Sequence, residues 1–471
     1  MNIFNRCCEL GEYPNCLKTA KVTALHKGSD RSSVDNYRSI SVLTHINKIF
    51  EKLLHARLND FITKHKILEN NQYGFRKGHS TSHGITHLHE TILESIEKKK
   101  VCVALFIDLK SAFDTIDHQI LEQKLDHYGV RGKALKLLSS YLKDRKQFIK
   151  AGDIESAILL VLCGVPQGSV LGPLLFIIYI NDLVTCSELS TLLFADDAVL
   201  TTSHDSLKYL ERKFNAEIQK MHRWLITNKL TLNLKKTKFM IFSTKRKKKA
   251  KENKFRININ RYCIKQVSEM KYLGVILDNK LNWHNHIQYL CTKLAKAAGI
   301  IYKIRNQAPL RVLKLLYHSL VGTYLRYGIV SWGSARTTAL SKLRSLQNKV
   351  VHYITQSSEA IDLTTKYNKL DILMLDEIYM LEVSKFMYKS ASLSLPSSFG
   401  EYFMNVDHQH NTRARVNADL IFPRPRTNLG KQSIKFMGVK FWNEIPTDIR
   451  NSTTLDSFCT QMKSYIIQKR L

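Results

Sequence analysis

The feature that most constrains this chain is an apolar run that ends on an acid. Val101 to Ile107 reads VCVALFI without a polar interruption, and Asp108 follows. The length and the β-branched content suit a strand covered on both faces. An isolated carboxylate at the end of such a strand is costly to bury. A second acidic feature lies further along. Leu192 to Leu200, LLFADDAVL, sets two short apolar runs around Asp196 and Asp197, the pattern of a hairpin with acids at its tip. Adjacent carboxylates repel each other unless a cation neutralises them. Brought together, the three acids would offer hard oxygen ligands to divalent ions, Mg²⁺ above all. Taken singly, each acid has an ordinary structural explanation, because Asp favours turns and often caps helices.

Charge sets the class of partner. Lys and Arg number 72 against 40 Asp and Glu, a formal net charge of +32 over 471 residues. That excess points to a polyanion, nucleic acid first and an anionic membrane surface second. The basic residues are spread along the whole chain, which weakens the membrane reading. The longest apolar run, Leu174 to Ile180, is too short to span a bilayer, and the start MNIFNRCCELGEYP lacks an apolar leader. Nine scattered cysteines without C-x-x-C pairs read as reduced thiols of an intracellular protein. His284 and His286 lack a third ligand at useful spacing and are not expected to bind metal.

Helical spacing is expected over 44–69, from Ser80 to Lys100, over 119–144 with a break at Gly129, and over 207–225. Leu230, Leu232 and Leu234 alternate as in a strand, with Phe239 to Phe242 as its expected partner. After Trp283 a long helical stretch is expected through about Tyr353. Lys245 to Lys251, KRKKKAK, reads as a solvated loop between strands, ahead of a nuclear-import signal or a phosphate contact.

Seven segments, in order, resemble the blocks of reverse transcriptases from non-LTR, LINE-type retrotransposons. They are NYRSIS from Asn36 with Lys48, Glu51 and Arg57-Leu58; QYGFRKGHST, 72–81; FIDLKSAFDTIDH, 106–118; GVPQGSVLGPLLFIIYINDL, 164–183; LFADDAVL, 193–200; NKLTLNLKKTKFMIF, 228–242; and YLGVILD, 272–278. Seven ordered blocks are far more specific than any one. Weaker likeness continues through YGIVSWGSA, 327–335. RTNLGKQSIKFMGVKFWNEIP, 426–446, is similar to the tails of jockey-related elements.

The resemblance implies an α+β right-hand polymerase. Fingers would span 1–100, palm 101–282, helical thumb 283–360, and a helical C-terminal extension of unknown role 361–471. It implies an RNA-directed DNA polymerase that adds dNTPs to a DNA primer 3′-hydroxyl on an RNA template, with two Mg²⁺ ions and Mn²⁺ as substitute. Asp108, Asp196 and Asp197 match the metal ligands. Phe113 matches the aromatic gate against a ribose 2′-hydroxyl, where the residues alone also allow a core aromatic. Gln167 and Gly168 match the segment that touches the incoming nucleotide. Arg76 and Lys77 are candidates for its triphosphate, or a basic surface loop. Lys236 matches a lysine assigned to protonate pyrophosphate, or is a solvated lysine. Tyr272, Leu273 and Gly274 match the primer grip, or a buried strand edge. Arg424, Arg426 and Lys431 are exposed charges that need no RNA to explain them. Arg38-Ser39-Ile40-Ser41 stands where the family usually shows Arg-Pro-Ile-Ser. The family's upstream endonuclease is not in this sequence, so a truncated copy or the back half of a split frame is expected, acting inside the cell in nucleus and cytoplasm. The rival from another class is a non-catalytic nucleic-acid-binding remnant.

Overall fold

The computed structural model describes residues 2–28, 30–243, 255–356, 361–404 and 420–470. The lysine run at 245–251 lies outside them. The architecture is α+β, as expected.

Val101–Ile107 is the central strand of a five-stranded sheet with the order Lys265–Gln266, Lys238–Phe242, Val101–Ile107, Asp197–His204 and Ser190–Phe194. All seven of its residues are buried. The reason is visible in the alternation of its side chains. Val101, Val103, Leu105 and Ile107 join one core with the helices Gly172–Tyr179 and Leu207–Thr227. Cys102, Ala104 and Phe106 join a second core with the helix Thr81–Glu97 and the C-terminal helices. The strand is thus apolar throughout because helices cover both faces, although it pairs antiparallel with both neighbours. In Leu207–Thr227 the expected face is the buried one, with Leu210, Phe214, Ile218, Met221 and Leu225 inside.

A second sheet has the order Tyr37–Val42, Thr19–His26, Lys146–Ala151 and Ile154–Glu155, with Leu159–Leu160 also pairing to Lys146–Ala151. It joins residues 19–42 to residues 146–160 by a parallel pairing of Thr19–Val22 with Lys146–Ile149. The expected boundary at residue 100 therefore does not separate the sheets, because a segment from beyond it completes the N-terminal one.

Two expected elements differ. Leu230 to Leu234 is not a strand. Only Leu232 pairs, in a single bridge to Leu109, and Phe239 to Phe242 pairs with the central strand instead. The segment serves to cross beside Asp108, whose carbonyl accepts from Asn233 N at 2.8 Å. The helical stretch after Trp283 is also interrupted. It runs as His284–Ile304, Leu310–Tyr317, a π turn at His318–Gly322, Thr323–Arg326, Ile329–Trp332 and Thr337–Thr355. Pro309 starts the second helix, and Gly328 at φ +64° turns the chain between two short ones.

The C-terminal region packs on the same core and is no separate appendage. Three glutamates of Thr81–Glu97 receive it. Glu90 accepts from Ile434 N at 2.8 Å, Glu94 lies 3.4 Å from Lys435 Nζ, and Glu97 accepts from Arg426 N at 2.7 Å and Thr427 N at 3.1 Å. Glu90 thereby sits at the N-terminus of the helix Ile434–Glu444, where a carboxylate is favoured. Arg426, read from sequence as an exposed charge, donates to the carbonyls of Ile96 and Glu97. Among the described residues no helix is long and apolar enough to cross a membrane.

Candidate active site

The register of the central sheet decides where the acids meet. Ile107 pairs with Ala198, so Asp108 leaves its strand beside the residue that precedes Ala198, which is Asp197. Phe194 pairs with Asp197 across a two-residue turn, Ala195-Asp196. Ala195 holds a left-handed φ of 54°, a conformation that a hairpin turn of this length usually gives to glycine. The three acids therefore lie at the same end of two adjacent strands.

Their electrostatics agree with that proximity. Asp196 and Asp197 are exposed at the tip, yet the surrounding protein reduces their solvation. That loss raises the Asp196 carboxyl above the usual range, with Asp108 adding to it and Arg38 opposing it. Loss of solvation raises Asp197 to about 6, with Asp196 and then Asp108 as further causes. A cation would relieve each repulsion. Among the described residues no three acidic, histidine or cysteine side chains converge closely enough to enclose an ion as they stand. The all-carboxylate donor set at one sheet end fits the chemistry of hard divalent ions.

Asp108 and Asp197 line a cleft of about 250 Å³ together with Lys236, Lys271, Tyr272 and Leu273. Lys236 Nζ stands 3.8 Å from Asp108 Oδ2. Tyr272 and Leu273 come from the hairpin Glu269–Tyr272 and Val275–Asp278. Its turn residues Leu273 and Gly274 have φ of 42° and 84°, and a Cβ on Gly274 would stand 3.0 Å from the Tyr327 ring. Tyr327 Oη donates to Leu273 O at 2.6 Å.

The remaining sequence candidates form a neighbouring group. Phe113 is half-buried, stacked on Phe176 at 4.3 Å and edge-on to Phe75 at 6.2 Å. Gln167 Nε2 donates to Asp114 Oδ1 at 3.0 Å, and Ser41 N donates to Gln167 O at 2.7 Å. Gly168, at φ +110°, passes so close to Ser41 that a Cβ would stand 2.7 Å from its carbonyl oxygen. Lys77 is exposed, whereas Arg76 is committed locally, donating to Glu69 O at 2.6 Å and Gln72 O at 3.2 Å.

Two residues of the family-like blocks, to which the sequence reading gave no role, support the site. Gln72 is fully buried, and its Oε1 accepts from Gly74 N at 2.8 Å and Ala195 N at 3.1 Å. It ties the loop 72–78 to the strained acidic turn. Gly74 is required there, since a Cβ would meet Ala195 N at 2.3 Å. Glu51, also fully buried, accepts from Val170 N at 2.5 Å, Leu171 N at 3.4 Å and Tyr141 Oη at 3.1 Å. It anchors the segment just after Gln167-Gly168, at the start of Gly172–Tyr179. Helical spacing carries the signal for Glu51, which falls on the buried stripe of Asn47, Phe50, Leu54, Leu58 and Ile62.

The probable RNA-directed DNA polymerase from transposon BS of Drosophila melanogaster is 29% identical over 404 residues, covering 82% of this chain and 43% of that protein. The RNA-directed DNA polymerase from mobile element jockey of the same species is 28% identical, covering 75% of this chain and 39% of that protein. The chain thus spans about two fifths of the length of these relatives. Apo telomerase from Candida tropicalis aligns at 11% identity and a TM-score of 0.42, covering 81% of this chain and 67% of the telomerase. The family described as reverse transcriptase (RNA-dependent DNA polymerase) matches residues 25–277, more than half of the sequence. On that match, and with the paired acidic strands in its middle, the chain belongs to the reverse transcriptase family.

Proposed function

We propose that this chain is the polymerase of a jockey-related non-LTR retrotransposon, an RNA-directed DNA polymerase that extends a DNA primer with dNTPs along an RNA template inside the cell. The observation that carries the reading is the register that sets Asp108 beside Asp197 at the open end of the sheet, within one cleft that also holds Lys236 and Tyr272-Leu273. Residues 1–100, with 146–160 added, act as fingers, the rest of 101–282 as palm, 283–360 as thumb, and 361–471 as a brace on the palm.

Asp108, Asp196 and Asp197 would hold two Mg²⁺ ions. When bound, such ions activate the primer 3′-hydroxyl and neutralise the leaving pyrophosphate. The protein's own groups do the positioning. Tyr272, Leu273 and Gly274 hold the primer end against the acids. Phe113, fixed by its stack on Phe176, blocks a ribose 2′-hydroxyl. Gln167 and Gly168 present the nucleotide, with Gln167 released from Asp114 when the nucleotide enters. Lys77 meets the triphosphate, and Arg76 holds that loop in shape before it contributes charge. Lys236, beside Asp108, supplies a proton to the departing pyrophosphate. The basic surplus draws in the template–primer backbone, so affinity falls steeply with salt.

The test is primer extension on poly(rA)/oligo(dT) with the purified chain. Asp196→Asn should abolish incorporation while RNA binding stays near wild type. Equal incorporation by variant and parent sinks the assignment.

A further inference from the structure

The segment YGIVSWGSA, 327–335, supplies no residue to the acidic cleft, yet Tyr327, Gly328 and Trp332 gather at its edge. They meet there around the hairpin Glu269–Tyr272 and Val275–Asp278. Leu273 and Gly274 form its two-residue turn, with φ of 42° and 84°. Two left-handed residues are what such a turn asks for, and Asn or Gly supplies them with the least strain. Gly274 meets that need. A leucine in the first position is strained, and a strained residue persists only where its surroundings over-determine it.

Tyr327 supplies the constraint. Its Oη donates to Leu273 O at 2.6 Å. Its ring lies so near the turn that a Cβ on Gly274 would stand 3.0 Å from Tyr327 Cε1 and 3.2 Å from its Oη. The donor is itself held on both sides. Trp332 is fully buried and its Nε1 donates to Tyr327 O at 2.9 Å, while Tyr327 N donates to Thr323 O at 3.1 Å. Gly328 then crosses the hairpin closely, since a Cβ there would stand 3.2 Å from Val275 Cγ1. From the opposite side, Gly84 of Thr81–Glu97 meets the Leu273 side chain, where a Cβ would stand 3.2 Å from Leu273 Cδ1. Leu273 also lines the cleft with Asp108 and Asp197. The latch, the strained turn and the acids form one chain of contacts.

We propose that Tyr327 is a positioning residue for chain extension: it latches the Leu273-Gly274 turn in its left-handed form, and through it the helices after Trp283 set the primer 3′ end against the acids. Tyr327 does not line the acidic cleft, so it acts through Leu273. The choice of residue at the turn carries the argument. An Asn-Gly turn would hold its shape unaided and would answer to nothing outside the hairpin. A Leu-Gly turn keeps its shape only while Tyr327 is seated, so the hairpin responds to the helical region from which Tyr327 comes. The link to the primer end rests on the polymerase reading; the latch on the turn does not.

The experiment uses Tyr327→Phe in the full chain, which keeps the ring and removes the donor. Hydrogen exchange read by mass spectrometry, without substrates, should show the amides of the hairpin 269–278 exchanging about threefold or more faster, with the helix Leu207–Thr227 unchanged. Single-nucleotide incorporation on a preannealed RNA/DNA primer–template should slow about tenfold at saturation, with the duplex Kd and the dNTP KM within about twofold of the parent. A primer with a mismatched 3′ end should lose less than a matched one, because its end is already displaced. Leu273→Gly lowers the rate by itself, since the cleft loses a side chain, but it also removes the strain. On that background Tyr327→Phe should cost no more than about twofold in rate. A tyrosine needed only for folding would lower Tm in both backgrounds alike and leave the matched-to-mismatched ratio unchanged. Unchanged exchange in the hairpin overturns the latch. Faster exchange with unchanged incorporation overturns the positioning role. Equal loss of rate in the parent and Leu273→Gly backgrounds overturns the strained turn as the route. A parent that binds the duplex but never extends it fails the polymerase reading and the positioning role with it, and the latch then stands or falls by exchange alone.

Discussion

Replacing Asp197 by asparagine should stabilise the metal-free protein, and only where pH leaves the carboxyl ionised. Lost solvation and two neighbouring acids lift this carboxyl to about 6 from an ordinary value of 3.8. The folded state thus holds the proton more tightly than the unfolded chain does. The stability this confers is fully present below the unfolded value and is lost as pH rises through about 6. The full shift would correspond to roughly 3 kcal/mol. The side chain is exposed at the hairpin tip, however, and solvent screening reduces this to about 1 kcal/mol. For a chain of this size that is a rise in Tm of roughly 1–3 °C. The assay is thermal unfolding in EDTA from pH 5 to pH 8. Linkage puts the gap between Asp197→Asn and parent at about half its full size at pH 5 and at its plateau by pH 8. If Asp197 is one of the Mg²⁺ ligands, as proposed, adding Mg²⁺ at pH 8 should then raise the parent more than the variant, because an ion that binds the folded state stabilises it. A gap independent of pH, or a variant less stable than the parent at pH 8 in EDTA, would refute the crowded-acid reasoning.

The two buried anchors give further tests. Gln72→Ala leaves the Gly74 and Ala195 amides without an acceptor, which costs about 1–3 kcal/mol for each buried group. Loosening the acidic turn by about 1 Å should lower the primer-extension rate about a hundredfold with primer–template affinity little changed, and a kcat within twofold of the parent would exclude Gln72 as the tie. Glu51→Ala frees the Val170 and Leu171 amides beside Gln167. Steady-state kinetics should show a dNTP KM raised several-fold with a smaller change in kcat, restored in part by Glu51→Gln, which keeps one acceptor oxygen. A uniform loss in both parameters without rescue would reduce Glu51 to a fold-stability role.

The parts legible in the sequence were those whose physics is local or periodic. The central strand was readable because both of its faces are apolar, and the acidic hairpin because its flanks are short apolar runs around a polar tip. The stripe of Leu210, Phe214, Ile218, Met221 and Leu225 was readable for the same reason. Alternation misled at Leu230 to Leu234, where three leucines spaced by two serve a crossing next to Asp108 and not a ladder. Helical spacing after Trp283 could not show that Pro309 and Gly328 break the run. The burial of Glu51 was readable from its helical stripe, but the partners of Gln72 and Glu51 were hidden for a different reason. A polar side chain in a loop or helix reads as solvent-facing, and only tertiary contact shows that it satisfies buried amides more than a hundred residues away.

The same limit explains the C-terminal region. Glu90, Glu94 and Glu97 recur at helical spacing on Thr81–Glu97 and look like a solvated face. Their partners are amides and a lysine more than 300 residues later, beyond any local pattern. The opposite stripe of that helix, Ile85, Leu88, Ile92 and Ile96, lies in the core that also takes in Cys102 and Phe106 of the central strand. One helix therefore connects the C-terminal region to the strand that ends at Asp108. Tyr73 adds a second connection, since its Oη meets Ser398 Oγ at 2.5 Å while its backbone N–H donates to Leu193 O at 2.8 Å, one residue from the acidic turn's Phe194. A strained Ala195 and a strained Leu273 keep their left-handed backbones only because such contacts over-determine them. The tail is thus part of what fixes the acids, and the site depends on packing contributed from both ends of the chain.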